Sequence, residues 1–461
     1  MSELKKTMFR EYDLRGRVND EELNRRTVTL IGKGFGTYLQ RRAISDVAVG
    51  FDSRSYSERI RDYLVEGLIS TGCNVKDIGY ALSPSLYFAQ YFLECKGGVM
   101  ITASHNPDGW TGFKLADGLS KTLLSDELQE VYSIIERDDY ATGKGKYEER
   151  HDANKAYIQD VSSKIKLAKP LKVIIDSGNG TAGAFAPEVF RKVGAKVGEI
   201  FCNLDTTFPY HFPNPSNQNS RRALSAVVPA VEADVGFCLD GDGDRLGVVD
   251  NNGDTIWSDK ILILLARQIL EKKPNATIIF DVKCTQGLEE DIREHGGNPF
   301  MWKTGHSYLK QKMHEFDAEL AGEHSGHIFY KENRSYDDAV FAALRLTEYL
   351  SNQNMSLSEF MKTTPQYFAS PNITAPCADE VKYQVVDQLV KEFKSEYDKV
   401  IDINGARVVF DDGWGLVRAS SNLPELVLIF EGKTEERMNE IKEIFREKIS
   451  KFQDVGKWEN E

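Results

Sequence analysis

Three times along this 461-residue chain, an apolar β-branched run ends in aspartate and breaks into a polar or glycine-rich turn. The runs are VAVGFDSR, closing at Arg54, KVIIDSGNGTAG around Asp176, and TIIFDVKCTQG around Asp281. Short Val/Ile runs bounded by turn residues read as strands buried in a parallel sheet. After each comes a segment of helical pattern (SERIRDYLVEGLISTG, AFAPEVFRKVGA and LEEDIREHGG). A second strand-like stretch follows (NVKDIGYAL, KVGEIFCNL and NPFMWKTGH). A third strand then runs into a loop dense in polar residues: TASHNP (102–107), DGDGDR (240–245) and GEHSGH (322–327). The repeat predicts three βαβ-type domains, each delivering one loop at the carboxyl end of a strand, where open α/β sheets bind their ligands. Convergence of the three loops on one cleft is the simplest explanation of the pattern.

The last part of the chain reads differently. ARVVFDDGWGLVRASS predicts two strands joined by the DDGWG turn, and PELVLIFEG predicts another strand. EERMNEIKEIFREKISKF has helical spacing, with Met438, Ile441, Ile444, Phe445 and Ile449 on one face. The expected fold class is therefore α/β: three similar mixed α/β domains plus a smaller C-terminal α+β domain around a central cleft. Boundaries are placed at 1–150, 151–255, 256–368 and 369–461, which suits ~100–200 residues per domain.

Composition narrows the function classes. No stretch approaches ~18 uninterrupted apolar residues, so no membrane span is expected. The N-terminal MSELKKTMFREYDLRG lacks the apolar core of a secretory signal. Six scattered cysteines without a CxxC pair fit reduced thiols and a cytoplasmic location better than a disulfide framework or zinc site. A net charge of −13 argues against a nucleic-acid partner while leaving room for a small anion on a local Arg/Lys cluster.

The loops carry the chemistry. DGDGDR sets Asp240, Asp242 and Asp244 at alternate positions separated by glycines. Three crowded anions call for a cation, and oxygen ligands suit Mg²⁺ or Ca²⁺. An EF-hand needs Gly at its sixth position and Glu at its twelfth, where this chain has Arg245 and Asn251. TASHNP places Ser104 and His105 after an apolar strand, with Lys114 close behind in GWTGFKL. A serine acts as nucleophile only beside a base or metal, and one that stores phosphate needs cations on the transferring oxygens. GEHSGH offers Glu323 and Ser325 to sugar hydroxyls and His327 as a proton shuttle, and KTGHS adds Lys303 and His306. RASSNLPE supplies Arg418, Ser420, Ser421 and Asn422, a guanidinium fork beside hydroxyls that suits a phosphate. DNNGDT (250–255) is expected to be a hairpin turn, and GNG near Asn179 a tight strand-to-helix turn.

TASHNP, DGDGDR, GEHSGH and RASSNLPE, in this order, resemble the four loops of the α-D-phosphohexomutase superfamily over essentially the whole chain. FREYDLRG, FDVKCT and WKTGHS match as well. GEHSGH is closest to the GEMSGH of bacterial phosphomannomutase/phosphoglucomutase enzymes, and the glucosamine mutases carry a related GEQSGH. The resemblance implies that the C-terminal domain is a mobile lid and that Ser104 is phosphorylated in the active enzyme. It implies Mg²⁺ held by that phosphate with Asp240, Asp242 and Asp244, and a glucose or mannose 1,6-bisphosphate activator. Arg15, His105, Lys114 and Arg245 would surround the transferring phosphoryl group, with Lys114 and His327 as general acid/base candidates. Tyr12, Lys283, His306, Glu323 and Ser325 would contact the sugar, and Arg418, Ser420, Ser421 and Asn422 its distal phosphate. The partners implied are phosphorylated hexoses, with the chain a monomer or homodimer.

Two segments depart from the family pattern. Ser421 and Asn422 stand where related sequences have Asn and Thr, and HFPNPSNQNS replaces the more usual HHPDP followed by Glu-Asn, in a segment expected to be structural. The alternatives are a phosphoglucosamine mutase, a phosphosugar-binding protein that has lost its chemistry, and a phosphatase on the same scaffold.

Overall fold

The structure, a computed structural model, describes residues 4–421 and 423–459. Its strands form four sheets, each built from one contiguous stretch of chain. The first three share a core. In the first, Asp46–Phe51 lies between the parallel strands Asn74–Tyr80 and Gly97–Ile101, and Trp110–Gly118 returns antiparallel beside Gly97–Ile101. In the second, Lys172–Asp176 lies between Lys196–Ile200 and Val235–Leu239, with Leu246–Asp250 antiparallel. In the third, Thr277–Asp281 lies between Asn298–Trp302 and Leu320–Gly322, with Ile328–Tyr330 antiparallel. The repeat is thus real at the level of topology. Each polar loop joins the third, parallel strand to its antiparallel return, so all three occupy one structural position.

The central strands are buried because helices cover both faces, which is why their sequences are continuously apolar. Helices Ser57–Ser70, Ala186–Lys192 and Gln286–Glu294 make the first crossovers. One large core runs without a break from Leu82 and Tyr87 through Phe237 to Leu265 and Phe341, so the first three units share packing at their junctions.

The repeated aspartates have a structural role that the pattern alone did not reveal. Asp52 Oδ2 accepts from the amide of Ala103 at 3.0 Å, and Asp281 Oδ1 accepts from that of His324 at 3.0 Å. Both amides lie two residues past the end of the third strand, so the aspartate ties the start of the polar loop to the end of the central strand. Asp176 instead bonds Gly178 N at 2.8 Å and meets His211 Nε2 at 3.1 Å.

The fourth sheet is antiparallel in its long strands, Ala406–Phe410, Gly413–Ala419 and Glu425–Gly432. Phe410 pairs with Gly413, so the DDGWG turn closes a tight hairpin. Ile441, Phe445 and Ile449 of helix Glu435–Ile449 are buried against this sheet, and Met438 and Ile444 pack at its margin. DNNGDT is the hairpin between Leu246–Asp250 and Thr255–Ile256, with Asp250 Oδ1 accepting from Asn252 and Asp254 amides. All six cysteines are buried thiols, and no described helix is long and apolar enough to cross a membrane.

Candidate active site

Ser104 sits at the meeting of the first two loops. Its backbone is left-handed, φ 50°, a conformation that costs a residue with a Cβ about 1–3 kcal/mol and persists only where its surroundings enforce it. The surroundings do so. Ser104 N donates to Thr102 Oγ1 at 2.8 Å, and Arg54 Nη1 and Nη2 donate to the carbonyls of Pro107 and Ser104 at 2.9 and 3.3 Å. Gly241 lets the second loop approach, since a Cβ there would lie 2.4 Å from the Ser104 carbonyl oxygen. The GNG turn supports this contact from below, with Thr181 N donating to Gly241 O at 3.0 Å.

The result is a hydroxyl aimed at carboxylates. Ser104 Oγ donates to Asp240 Oδ2 at 2.7 Å and lies 3.1 Å from His105 Nδ1. Asp240 Oδ1 in turn accepts from the amides of Asp244 and Arg245, which curls the loop around it. Lys114 Nζ is buried among Asp242 Oδ2 and Ser83 Oγ, each at 2.8 Å, and Asp244 Oδ2. Burial alone would lower the Lys114 ammonium, but Asp242 and Asp244 outweigh it and hold it well above the usual lysine range.

The three aspartates are fully buried, with carboxylate oxygens within 4.8 Å of one another. Lys114 pairs with Asp242 and Asp244 but not with Asp240, and Asp240 and Asp242 shift in opposite directions. Burial, Asp244 and Asp242 push Asp240 well above the carboxylate range, while Lys114 overcomes burial to hold Asp242 below it. Asp242 Oδ1 and Asp244 Oδ1 are buried without a hydrogen-bond partner. Unpartnered oxygens in a crowded, all-carboxylate cluster fit a hard divalent cation such as Mg²⁺. Antiparallel strands flank the loop, so the EF-hand alternative is excluded.

The third loop adjoins through Arg245, whose Nε donates to His327 Nε2 at 2.9 Å. His306 is buried, 5.5 Å from the His327 ring and edge-on to Tyr12 at 5.0 Å. Burial and Lys310 hold His306 well below its ordinary range; burial with Arg245 and Arg15 does the same to His105. Burial pushes the Tyr12 phenol up to about 12. Arg15 Nη1 reaches Asn106 Oδ1 at 2.6 Å and Nε reaches Asp13 at 2.7 Å, which fixes the guanidinium beside the Ser104 loop. Both Glu323 oxygens are engaged within the protein, accepting from Gly305 N at 2.7 Å and Ser325 Oγ at 2.6 Å. Lys283 Nζ lies 3.5 Å from Asp281.

The phosphate-loop residues belong to the fourth unit. Arg418 Nε donates to Asn404 Oδ1 at 3.0 Å and Nη2 to Ser421 Oγ at 3.2 Å. Ser421 Oγ donates to Glu11 Oε2 across the cleft at 3.0 Å, and Ser420 Oγ accepts from Leu423 N. Asn422 lies outside the described residues. Beneath the loop, buried Lys382 donates to the carbonyls of Ser420 and Leu423 at 2.6 and 3.0 Å, a brace that sequence reading missed.

A cavity of about 930 Å³ joins Arg15 and His105 to Ser420 and Leu423. Phe212, Asn214 and Asn217 also line it, so the HFPNPSNQNS segment forms one wall of the cleft as well as serving structure. Among the described residues expected at the site, Arg15, His105 and Ser420 line this cavity, whereas Ser104, the three aspartates and Arg418 sit behind its walls and Lys283, His306, Glu323 and Ser325 lie toward the third loop. Asp52, Arg54 and Ser83 were also missed by sequence reading. Asp52 and Arg54 left a trace there, as the repeated aspartate and the end of its run, but neither role was read.

A braced serine, a carboxylate cluster with a buried lysine, and a separate Arg/Ser loop across a cavity define a group-transfer enzyme for anionic substrates. Four family descriptions match in succession: phosphoglucomutase/phosphomannomutase alpha/beta/alpha domain I over residues 6–142, domain II over 155–253, domain III over 257–368, and the C-terminal domain over 374–448. The chain belongs to the phosphoglucomutase/phosphomannomutase family, a family of enzymes. It is 40% identical over 444 residues to a phosphomannomutase/phosphoglucomutase of Pseudomonas aeruginosa, covering 96% of this chain and 95% of that protein. It is 39% identical over 455 residues to a phosphoglucomutase of Neisseria meningitidis, covering 97% of each. A crystal structure of a family protein from Burkholderia thailandensis superposes with a TM-score of 0.90 at 34% identity, covering 97% of this chain and 98% of that one.

Proposed function

We propose that the chain is a phosphohexomutase that interconverts hexose 1-phosphates and 6-phosphates of glucose and mannose, with Ser104 as the phosphate carrier. The observation that carries the reading is the 2.7 Å contact of Ser104 Oγ with Asp240, beside Lys114 and opposite the Arg418 loop. A mutase must anchor one phosphate while the other reacts, so it needs two different anion sites. The names of the relatives support glucose and mannose as the sugars.

In the proposed cycle, the phosphoryl group of phospho-Ser104 passes to the free hydroxyl of the bound sugar monophosphate. The Ser104 Oγ–P bond breaks, a new O–P bond forms, and the product is a 1,6-bisphosphosugar. His327 Nε2, exchanging its hydrogen bond from Arg245 for one from the sugar, takes the proton of the attacking hydroxyl, and Lys114, held as an ammonium by Asp242 and Asp244, is the acid assigned to Ser104 Oγ. The bisphosphate turns over in the cleft, Arg418, Ser420, Ser421 and Asn422 take its other end, and the reverse transfer rephosphorylates Ser104. Arg15, His105 and Arg245 surround the transferring group; Tyr12, Lys283, His306, Glu323 and Ser325 face the sugar. Glu323 and Ser325 reach it by exchanging their mutual hydrogen bond for sugar hydroxyls. Asp240, Asp242, Asp244 and the Ser104 phosphate would hold Mg²⁺, which neutralises charge on the transferring oxygens. Glucose or mannose 1,6-bisphosphate serves as activator by loading Ser104.

Phosphorus NMR of the purified chain with glucose 1-phosphate, mannose 1-phosphate and glucosamine 1-phosphate, each with Mg²⁺ and a trace of bisphosphate, tests this. The 6-phosphates of glucose and mannose are expected to accumulate. Free phosphate in their place would replace the reading with a phosphatase, and conversion of the glucosamine ester alone would reassign the sugar.

A further inference from the structure

Directly behind the third loop lies a carboxylate that the proposed cycle does not use. Asp337 is fully buried, just before helix Ala339–Ser351, and neither of its oxygens makes an aligned hydrogen bond. Three nitrogens converge on it. His327 Nδ1 is 2.9 Å from Oδ2, Lys310 Nζ is 3.7 Å from Oδ1, and His306 Nδ1 is 3.9 Å from Oδ2. Lys310 and His306 lie one turn apart on helix His306–Glu315, so one face of that helix is directed at Asp337. Asp337 itself stays ionised: burial opposes this, but Lys310 and His327 overcome it.

The two nitrogens of His327 face different partners. Arg245 donates to Nε2, so Nε2 presents its lone pair and a neutral ring carries its only proton on Nδ1. Nδ1 is the nitrogen nearer Asp337, close to it without an aligned hydrogen bond, and Asp244 Oδ1 is farther off at 3.6 Å. A carboxylate behind an imidazole selects the tautomer and aims the opposite nitrogen at the reacting group.

We propose that Asp337 is a positioning residue that holds His327 in the Nδ1–H tautomer, with Nε2 facing Arg245 and the transferring phosphoryl group. The assignment rests on the phosphohexomutase reading above. It also gives Lys310 and His306 a shared purpose. Lys310 faces the carboxylate with a cation, and both residues join its position to the helix that carries the sugar-facing His306.

Asp337→Asn keeps the shape but offers an amide that can donate to Nδ1, which favours the wrong tautomer. With glucose 1-phosphate, this variant is expected to lose on the order of 100-fold in kcat, with KM unchanged within about threefold. In a His327→Asn background the same change is expected to cost no more than about twofold, because a residue acting through His327 has nothing left to act on. Nitrogen-15 histidine NMR of the wild-type chain, with His327 assigned from the missing signal in His327→Asn, is expected to show the Nδ1–H tautomer. This measurement stands even if Asp337→Asn does not fold.

Full kcat in Asp337→Asn, losses that multiply in the double variant, or an Nε2–H tautomer in the wild type would each overturn the proposal. A wild-type chain that isomerises no sugar phosphate defeats the underlying reading. An active wild type that is crippled by His327→Asn but indifferent to Asp337→Asn defeats only this inference.

Discussion

The two ends of the cleft are built on different plans. At the Ser104 end, three units interlock through buried groups. Lys114 and Ser83 of the first unit bond Asp242 of the second, Arg245 of the second bonds His327 of the third, and Thr122 meets Ser307 at 2.6 Å. At the Arg418 end, the fourth unit meets the first through contacts at the cleft rim: Tyr383 with Glu11 at 2.8 Å, Ser421 with Glu11, and Arg10 with Asp379 at 3.6 Å. Its firmer attachment is to the third unit, where buried Arg407 donates to the carbonyls on either side of Lys283 at 2.6 and 2.9 Å. Electrostatic catalysis needs groups fixed before charge develops, whereas an anchor that admits substrate and confines an intermediate must open. Under the proposed function the contrast is one of preorganisation against access.

Removing the proposed carrier tests the rigid end most severely. Ser104→Ala is expected to lower kcat on the order of 10⁴–10⁶-fold, the scale for deletion of a covalent nucleophile. Intact mass after incubation with bisphosphate should show no added phosphate, and near-normal turnover would end the carrier role. Asp242→Asn comes next. It leaves Lys114 with Asp244 and Ser83 as partners and removes one oxygen ligand, so Mg²⁺ affinity by calorimetry should weaken at least about tenfold. EDTA should silence the wild type, and rates unchanged by chelation would remove the metal from the scheme.

Much of the rigid end was legible in the sequence because its parts are local. Alternating aspartates, a serine following an apolar strand and a hairpin-closing turn each carry their meaning within a few residues. The braces were not. Ser83 joins Lys114 from 31 positions away, Arg54 holds the Ser104 loop from about 50, and Lys382 supports Ser420 from 38. Each is an ordinary polar residue whose partner exists only after folding. Glu323 shows the opposite case: a motif residue expected at the sugar has both oxygens engaged with Gly305 and Ser325. The repeated aspartates lie between, visible as a pattern but intelligible only once Asp52 and Asp281 are seen holding equivalent loop amides.

At the open end, losses should fall on binding. Arg418→Ala removes the charged donor proposed for the distal phosphate. Hydrogen bonds to charged groups contribute about 1.5–3 kcal/mol, so KM should rise roughly 10- to 100-fold with kcat changed far less. A kcat loss as large as that of Ser104→Ala, with KM unmoved, would erase the proposed division between chemistry and anchoring.

The smallest effect separates architecture from chemistry within the second unit. His211 Nε2 lies 3.1 Å from Asp176, the central-strand aspartate, and its ring packs edge-on to Phe201. Burial lowers the imidazole, but the carboxylate more than compensates and the net shift is upward. A group whose folded pKa is raised adds stability that is complete below its unfolded value, about 6.5, and lost as pH rises through the folded value. Wild type should therefore melt above His211→Asn at pH 6, with a gap of no more than about 2 °C that narrows by pH 8.5. His211 also lines the cleft wall, so the same variant checks its other face. Unchanged kcat alongside the pH-dependent gap would assign His211 to architecture, whereas a gap that widened with pH would reverse the charge assigned to the pair.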